Sequence, residues 1–312
     1  MKRWLVALLC AGFASLACAF PRPLDVSFAS VDRDAATATA VTLHGFLLLP
    51  AGPVPPGGFP AIIALHGCGG LYSTREGHDG ELAERMALRA RSYVRDGYAV
   101  LFADSFRARG LREICTVRHG ARTVTAAKRR LDALGALAYL ATRADIAPGR
   151  VALVGWSHGG SAVLQAVNTR DAVVAGFFDA PGAPPFFRAA VAFYPGCATP
   201  RKAGDGYRPG TPTRIHIGLL DDWTPASTCV DLGREMAERD EDLLVTTYAD
   251  SYHAFDSPTG TLQHRTDVPN GVEPGRGVHV GPNPAARSAA NASVRAFLHQ
   301  RLAADANVTK DP

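Results

Sequence analysis

Val151-Ala152-Leu153-Val154-Gly155-Trp156-Ser157-His158-Gly159-Gly160 decides how this chain reads. Val151 to Val154 is a short, continuous apolar run, the pattern of a strand buried on both faces. Gly155-x-Ser157-x-Gly159 follows at once, and Ser157 opens a helix that reaches about Asn168. A sharp strand-to-helix turn of this kind lifts the serine hydroxyl above the sheet. The flanking glycines are needed because side chains there would collide with neighbouring backbone. The helix N-terminus adds a positive dipole beside the hydroxyl. Taken alone, G-x-S-x-G is a weak pattern. Its other reading is a glycine-rich helix start with serine as N-cap. The preceding strand and following helix favour an exposed nucleophile.

Outward from this turn the chain alternates strand, turn and helix. Val41–Leu49, Ala61–Leu65, Tyr98–Ala103, Ala189–Tyr194, Thr213–Gly218 and Leu243–Tyr248 read as strands. Helices are expected over Glu81–Arg95, Thr123–Ala141, Ala226–Arg239 and Ala285–Leu302. In the second of these Leu131, Leu134, Leu137 and Ala138 share a face. The alternation predicts an α/β protein with a mostly parallel central sheet and helices on both faces. Sites in such sheets lie at the carboxyl ends of the strands. Two segments resist the pattern, Val173 to Phe187 and Pro258 to Pro284. Long irregular loops are uncommon unless functional or disordered, so both are candidates for substrate contact.

A serine nucleophile needs a base and an orienting acid. In the α/β-hydrolase fold the chain order is serine, acid, histidine. The strand Thr213–Gly218 runs into Leu219-Leu220-Asp221-Asp222-Trp223-Thr224-Pro225. Asp221 fits G-x-x-D-x-x-T/V-P and is the expected acid. Its neighbour Asp222 reads as a turn or N-cap acid. The strand Leu243–Tyr248 is followed by Tyr252-His253-Ala254-Phe255-Asp256, so His253 is the expected base. His264, His279 and His299 are less well placed, and His44, His66, His78 and His119 precede the serine. An oxyanion hole needs two backbone N–H groups. His158, next after the serine, supplies one. The loop His66-Gly67-Cys68-Gly69-Gly70 resembles the HGGG pattern and offers the N–H of Cys68.

The chain has 312 residues and a formal net charge of +4, with its basic residues scattered. So mild an excess argues against nucleic acid as the main partner. Lys2 and Arg3 precede an apolar run from Trp4 to Leu16 that is too short for a membrane span, and Ala17-Cys18-Ala19 fits a small-x-small cleavage site. Residues 1–19 are therefore expected to be a signal peptide, leaving a single domain from 20 to 312 that is exported to the periplasm or beyond. Its removal lowers the charge from +4 to +2. The competing reading, lipidation at Cys18, suffers from Ser15, where a branched apolar residue belongs. Four cysteines then remain, Cys68, Cys115, Cys197 and Cys229. In an oxidising compartment they read as two disulfides with three possible connectivities. Their spacing fits no zinc or CxxC motif.

His66-Gly67-Cys68-Gly69-Gly70, Asp104-Ser105-Phe106 with Arg109-Gly110, Gly155 to Gly160, Asp221 to Pro225 and Tyr252 to Phe255 together resemble the dienelactone hydrolase family. The likeness spans roughly Pro60 to Asp256, with the motifs in family order. It implies hydrolysis of carboxylic esters or lactones through an acyl-enzyme, with no metal or other cofactor and a small-molecule substrate. Ser157, Asp221 and His253 take the triad positions. The founding members use a cysteine nucleophile, so serine here implies a broader esterase. The layout that the resemblance implies sets Cys68 and Cys115 after neighbouring strands, and Cys197 and Cys229 likewise, so those are the expected pairs. A peptidase or acyltransferase can use the same triad, and a silent binding protein can use the same fold. Arg107, Arg109, Arg112 and Arg118 cluster after one strand. They would suit an anionic substrate, or simply a solvated basic loop.

Overall fold

A computed structural model describes residues 22–303. The expected signal segment, residues 1–19, lies outside the described residues. Eight strands form one sheet: β1 (Leu24–Arg33), β2 (Ala40–Leu48), β3 (Phe59–Leu65), β4 (Ala99–Asp104), β5 (Ile146–Trp156), β6 (Ala189–Phe193), β7 (Thr213–Gly218) and β8 (Leu243–Tyr248). Their spatial order is β1-β2-β4-β3-β5-β6-β7-β8. The β1–β2 and β2–β4 pairs are antiparallel and every later pair is parallel. This is the α/β-hydrolase arrangement, as expected.

The central strands read as unbroken apolar runs because both faces are covered. Every residue of β4 and β6 is buried, as are Val151 to Trp156 of β5. The helices are α1 (Glu84–Arg95), α2 (Ala126–Ala141), α3 (His158–Ala166), α4 (Ala172–Phe178), α5 (Ala198–Ala203), α6 (Ala226–Ala237) and α7 (Pro284–Leu302). On one face α2 and α3 pack together and against β3 and β5. On the other, Arg295 of α7 bonds Asp96 and Ser92 at the end of α1. Thr125 caps α2, its hydroxyl accepting from the Lys128 N–H. The deepest apolar side chains of α2 are Ala133, Leu134, Ala136, Leu137 and Leu140, while Leu131 and Ala138 are only half-buried. The buried stripe is thus rotated slightly from the expected one.

Besides the short helix α5, three features depart from the sequence reading. The first is β1. Its inward positions run Phe28, then Ser30 and Asp32, so the apolar alternation stops halfway. Ser30 donates to Asp132 at 2.7 Å, and Asp32 pairs with Arg109 at 2.9 Å. The second is α4, which opens the Val173–Phe187 segment with Asp171 as N-cap, accepting from Val173 and Val174. Phe178 and Phe186 then pack at 4.3 Å. The third is a small antiparallel pair, β9 (Gln263–Arg265) and β10 (Val278–Val280), inside the long segment 258–284.

Candidate active site

Three strand ends build the site. Ser157 follows β5, Asp221 follows β7 and His253 follows β8. Ser157 stands at φ 53°, ψ −119°, a left-handed conformation that costs a non-glycine residue energy. The turn is held by packing: a Cβ on Gly155 would strike Gly159, and one on Gly159 would strike the carbonyls of Leu65 and His66. The Ser157 N–H donates to the Phe193 carbonyl at 2.9 Å. Although Ser157 sits at the N-cap position, its side chain makes no cap bond. Its Oγ lies 2.9 Å from His253 Nε2 instead.

His253 Nδ1 lies 2.8 Å from Asp221 Oδ2. With the carboxylate as acceptor, Nδ1 carries the proton and Nε2 is free to accept from the serine. Asp221 cannot turn away. Its other oxygen accepts the N–H groups of Trp223 and Thr224 at 2.9 and 2.8 Å, and the Thr224 hydroxyl donates to Oδ2 at 3.1 Å. This explains the threonine in the motif. Asp222 faces elsewhere, accepting from the His279 N–H at 2.8 Å with its other oxygen 2.7 Å from His279 Nδ1. The rings of Tyr194 and Trp223 flank His253 at 4.5 and 4.7 Å between centroids.

Gly67 sits against the serine, and a Cβ there would be 3.5 Å from Ser157 Cβ. Neither the Cys68 nor the His158 N–H has an acceptor among the described residues. Cys68 is bonded to Cys115, and Cys197 to Cys229. The first bridge ties the Cys68 turn to the loop after β4.

Beneath these groups lies a residue the sequence reading quoted without a role. Asp256 is buried and accepts from the Tyr194 hydroxyl at 2.6 Å, Trp156 Nε1 at 2.9 Å and Arg89 at 2.7 Å. Burial, then the Asp256 charge, pushes the Tyr194 phenol well up, so it stays protonated. No pattern in the sequence distinguishes Asp256, because its partners come from α1, β5 and the end of β6.

Ser157 and His253 open into a cleft of about 700 Å³ walled by Cys68, Arg85, Tyr194, Trp223 and Arg265. Segment 258–284 contributes Thr259, Gln263 and Val280 to its rim, but none of Val173 to Phe187 lines it. None of Arg107, Arg109, Arg112 and Arg118 does either. Arg109 is held by Asp32 and Asp132, and Arg112 by Asp79. A second cleft of similar volume lies beyond the Asp221–Asp222 turn, beside His264 and His279, and includes neither Ser157 nor His253.

A model of the dienelactone hydrolase family matches residues 43–302. Among solved structures, the chain is similar to a dienelactone hydrolase-like promiscuous phosphotriesterase from metagenomic libraries. There the identity is 18% and the TM-score 0.60, over 89% of this chain and 98% of the other. It is also similar to Thermogutta terrifontis esterase 2 phosphorylated by paraoxon, with 15% identity and a TM-score of 0.58 over 89% and 95%. No curated protein matches the chain.

Proposed function

The chain belongs to the dienelactone hydrolase family, and on that premise we propose that it is an exported serine hydrolase cleaving carboxylic esters or lactones through an acyl-enzyme on Ser157. The observation that carries this reading is the continuous relay from Ser157 Oγ through His253 to Asp221, at 2.9 and 2.8 Å. His253 takes the serine proton as Oγ attacks the ester carbonyl. The N–H groups of Cys68 and His158 receive the oxyanion. The tetrahedral intermediate collapses, His253 protonates the departing alkoxide, and an alcohol leaves. Water then enters, gives its proton to His253 and attacks the acyl-enzyme; as the second tetrahedral intermediate collapses His253 returns that proton to Ser157 Oγ, and the acid is released. Asp221 stabilises the imidazolium that forms twice in each turnover.

Export is supported by the two disulfides, which suit an oxidising compartment, and by the leader-like composition of residues 1–19. No helix among the described residues is long and apolar enough to cross a membrane. The test is hydrolysis of p-nitrophenyl acetate and butyrate beside Ser157→Ala. The variant should lose about three or more orders of magnitude in rate. Equal turnover by both proteins would end the serine reading. Cleavage of aminoacyl amides in preference to esters would move the reading to a peptidase.

A further inference from the structure

Arg129 is a charged side chain for which the triad has no use. It is fully buried in α2 and forms no ion pair among the described residues, although the charges of Asp132 and Asp104 reach it. A guanidinium in such a place is costly unless its hydrogen bonds are met. One of its terminal nitrogens, Nη2, has no partner among the described residues. What Arg129 touches is specific. Its Nη1 donates to His158 Nδ1 at 3.1 Å, and its Nε donates to Ser105 Oγ at 3.1 Å.

Each contact leads to one edge of the hole assigned above. His158 is the residue after the nucleophile. As acceptor from Arg129, its Nδ1 carries no proton, so the imidazole is neutral with its hydrogen on Nε2. Burial and then the Arg129 charge hold that imidazole well below its usual pKa. On the other side the Ser105 N–H donates to His66 Nε2 at 3.4 Å. His66 Nδ1 in turn donates to the Gly67 carbonyl at 2.8 Å, one residue before Cys68. An unbroken chain, Gly67–His66–Ser105–Arg129–His158, therefore links the peptide that carries the Cys68 N–H to His158, the two residues assigned above to the oxyanion.

We propose that Arg129 is a positioning residue of the oxyanion hole, bracing the His158 and Cys68 turns from below and setting a fixed positive charge behind His158. The proposal rests on the serine-esterase reading. A brace of this kind acts where negative charge develops, so its loss falls on kcat rather than on substrate binding.

Arg129→Met, Arg129→Lys and His158→Leu are compared with wild type on p-nitrophenyl butyrate. Active sites are counted by labelling to completion with a fluorophosphonate, which removes misfolded protein from the comparison. A phenylboronic acid serves as the tetrahedral mimic. Arg129→Met should lower kcat per labelled site by about 10- to 100-fold, less than the loss of a direct donor. KM should stay within about twofold, and the boronate inhibition constant should rise in parallel with the fall in kcat. Arg129→Lys, which can meet one of the two acceptors, should recover part of the rate. The double variant Arg129→Met/His158→Leu should be no slower than the worse single one, because both cut the same link. A kcat per labelled site unchanged in Arg129→Met, an unchanged boronate constant or multiplying losses would overturn the proposal. Should Arg129→Met not fold, Arg129→Lys and His158→Leu carry the same readouts. Wild-type turnover abolished by Ser157→Ala is the control for the parent reading, and its failure would remove both.

Discussion

Trp156 donates from Nε1 to Asp256 Oδ2 at 2.9 Å, and this bond joins the serine turn to the histidine loop from below. Trp156 precedes Ser157, and Asp256 follows His253 by three residues. The Asp256 carboxylate also receives Arg89 and the Tyr194 hydroxyl. The relative placement of His253 and Ser157 is therefore set by a buried ionic knot as well as by the sheet. Asp256→Ala would leave Arg89 charged, largely buried and without its carboxylate. Such a loss costs about 3–5 kcal/mol. Urea unfolding should record a loss of that order, and esterase activity should fall in the protein that remains folded. Stability within about 0.5 kcal/mol of wild type would contradict the role given to Asp256.

Two adjacent acids allow a clean contrast. Asp221 orients His253, whereas Asp222 holds His279 and so anchors segment 258–284 to the end of β7. Asp221→Asn should lower kcat about 10,000-fold, because the amide favours the wrong imidazole tautomer. Asp222→Asn should leave kcat within about tenfold and instead raise proteolytic cleavage in 258–284. Steady-state kinetics on the two variants checks this, and the reverse ranking would refute it.

Stability should fall on acidification through a window set by buried histidines. Burial holds His216 down to about 4, and pushes His66 and His158 well below their usual range. Above pH 6.5 the ring is neutral in both folded and unfolded chains and contributes no pH dependence. Below 6.5 the unfolded chain takes up the proton first, so stability declines; the share from His216 falls between about 6.5 and about 4 and levels off below. His216 alone accounts for roughly 3 kcal/mol of this decline. Urea titrations at pH 7 and 4.5 should differ accordingly, and His216→Phe should flatten the slope. A slope unchanged by that substitution would rule His216 out as its source.

The Arg85 side chain lines the cleft and takes part in no ion pair or side-chain hydrogen bond among the described residues. Burial first, and then the Arg89 charge, lowers its pKa, which marks a cation short of compensation. Esters carrying a carboxylate should therefore have a lower KM than neutral esters of equal size. Arg85→Met should erase about tenfold of that preference with little change for the neutral ester. Equal KM values for both esters in wild type would dismiss Arg85 as a specificity group.

The parts of the site legible in the sequence are those with a local pattern. Gly155 to Gly160 announces its turn, Thr213–Gly218 and Leu243–Tyr248 are strands to the residue, and Asp221 stands in a motif whose Thr224 bonds it directly. Groups that act across the fold leave no such mark. Ser30 and Asp32 interrupt the apolar alternation that would have revealed β1, since Asp132 and Arg109 need them inside. Arg129 lies buried in a helix whose apolar stripe describes only its other positions. The basic residues near 107–118 left a substrate role and a solvated loop both open, yet Arg109 is held by two carboxylates, and the cleft is lined by Arg85 and Arg265 instead. Pairing across distant elements, not propensity, decides these cases.

The most direct test of the account is to inhibit the protein with a fluorophosphonate and locate the adduct by peptide mapping. The account predicts one adduct per chain, on Ser157, with esterase activity lost in proportion to labelling and no adduct in Ser157→Ala. An adduct on another residue, or activity that survives complete labelling of Ser157, would contradict it.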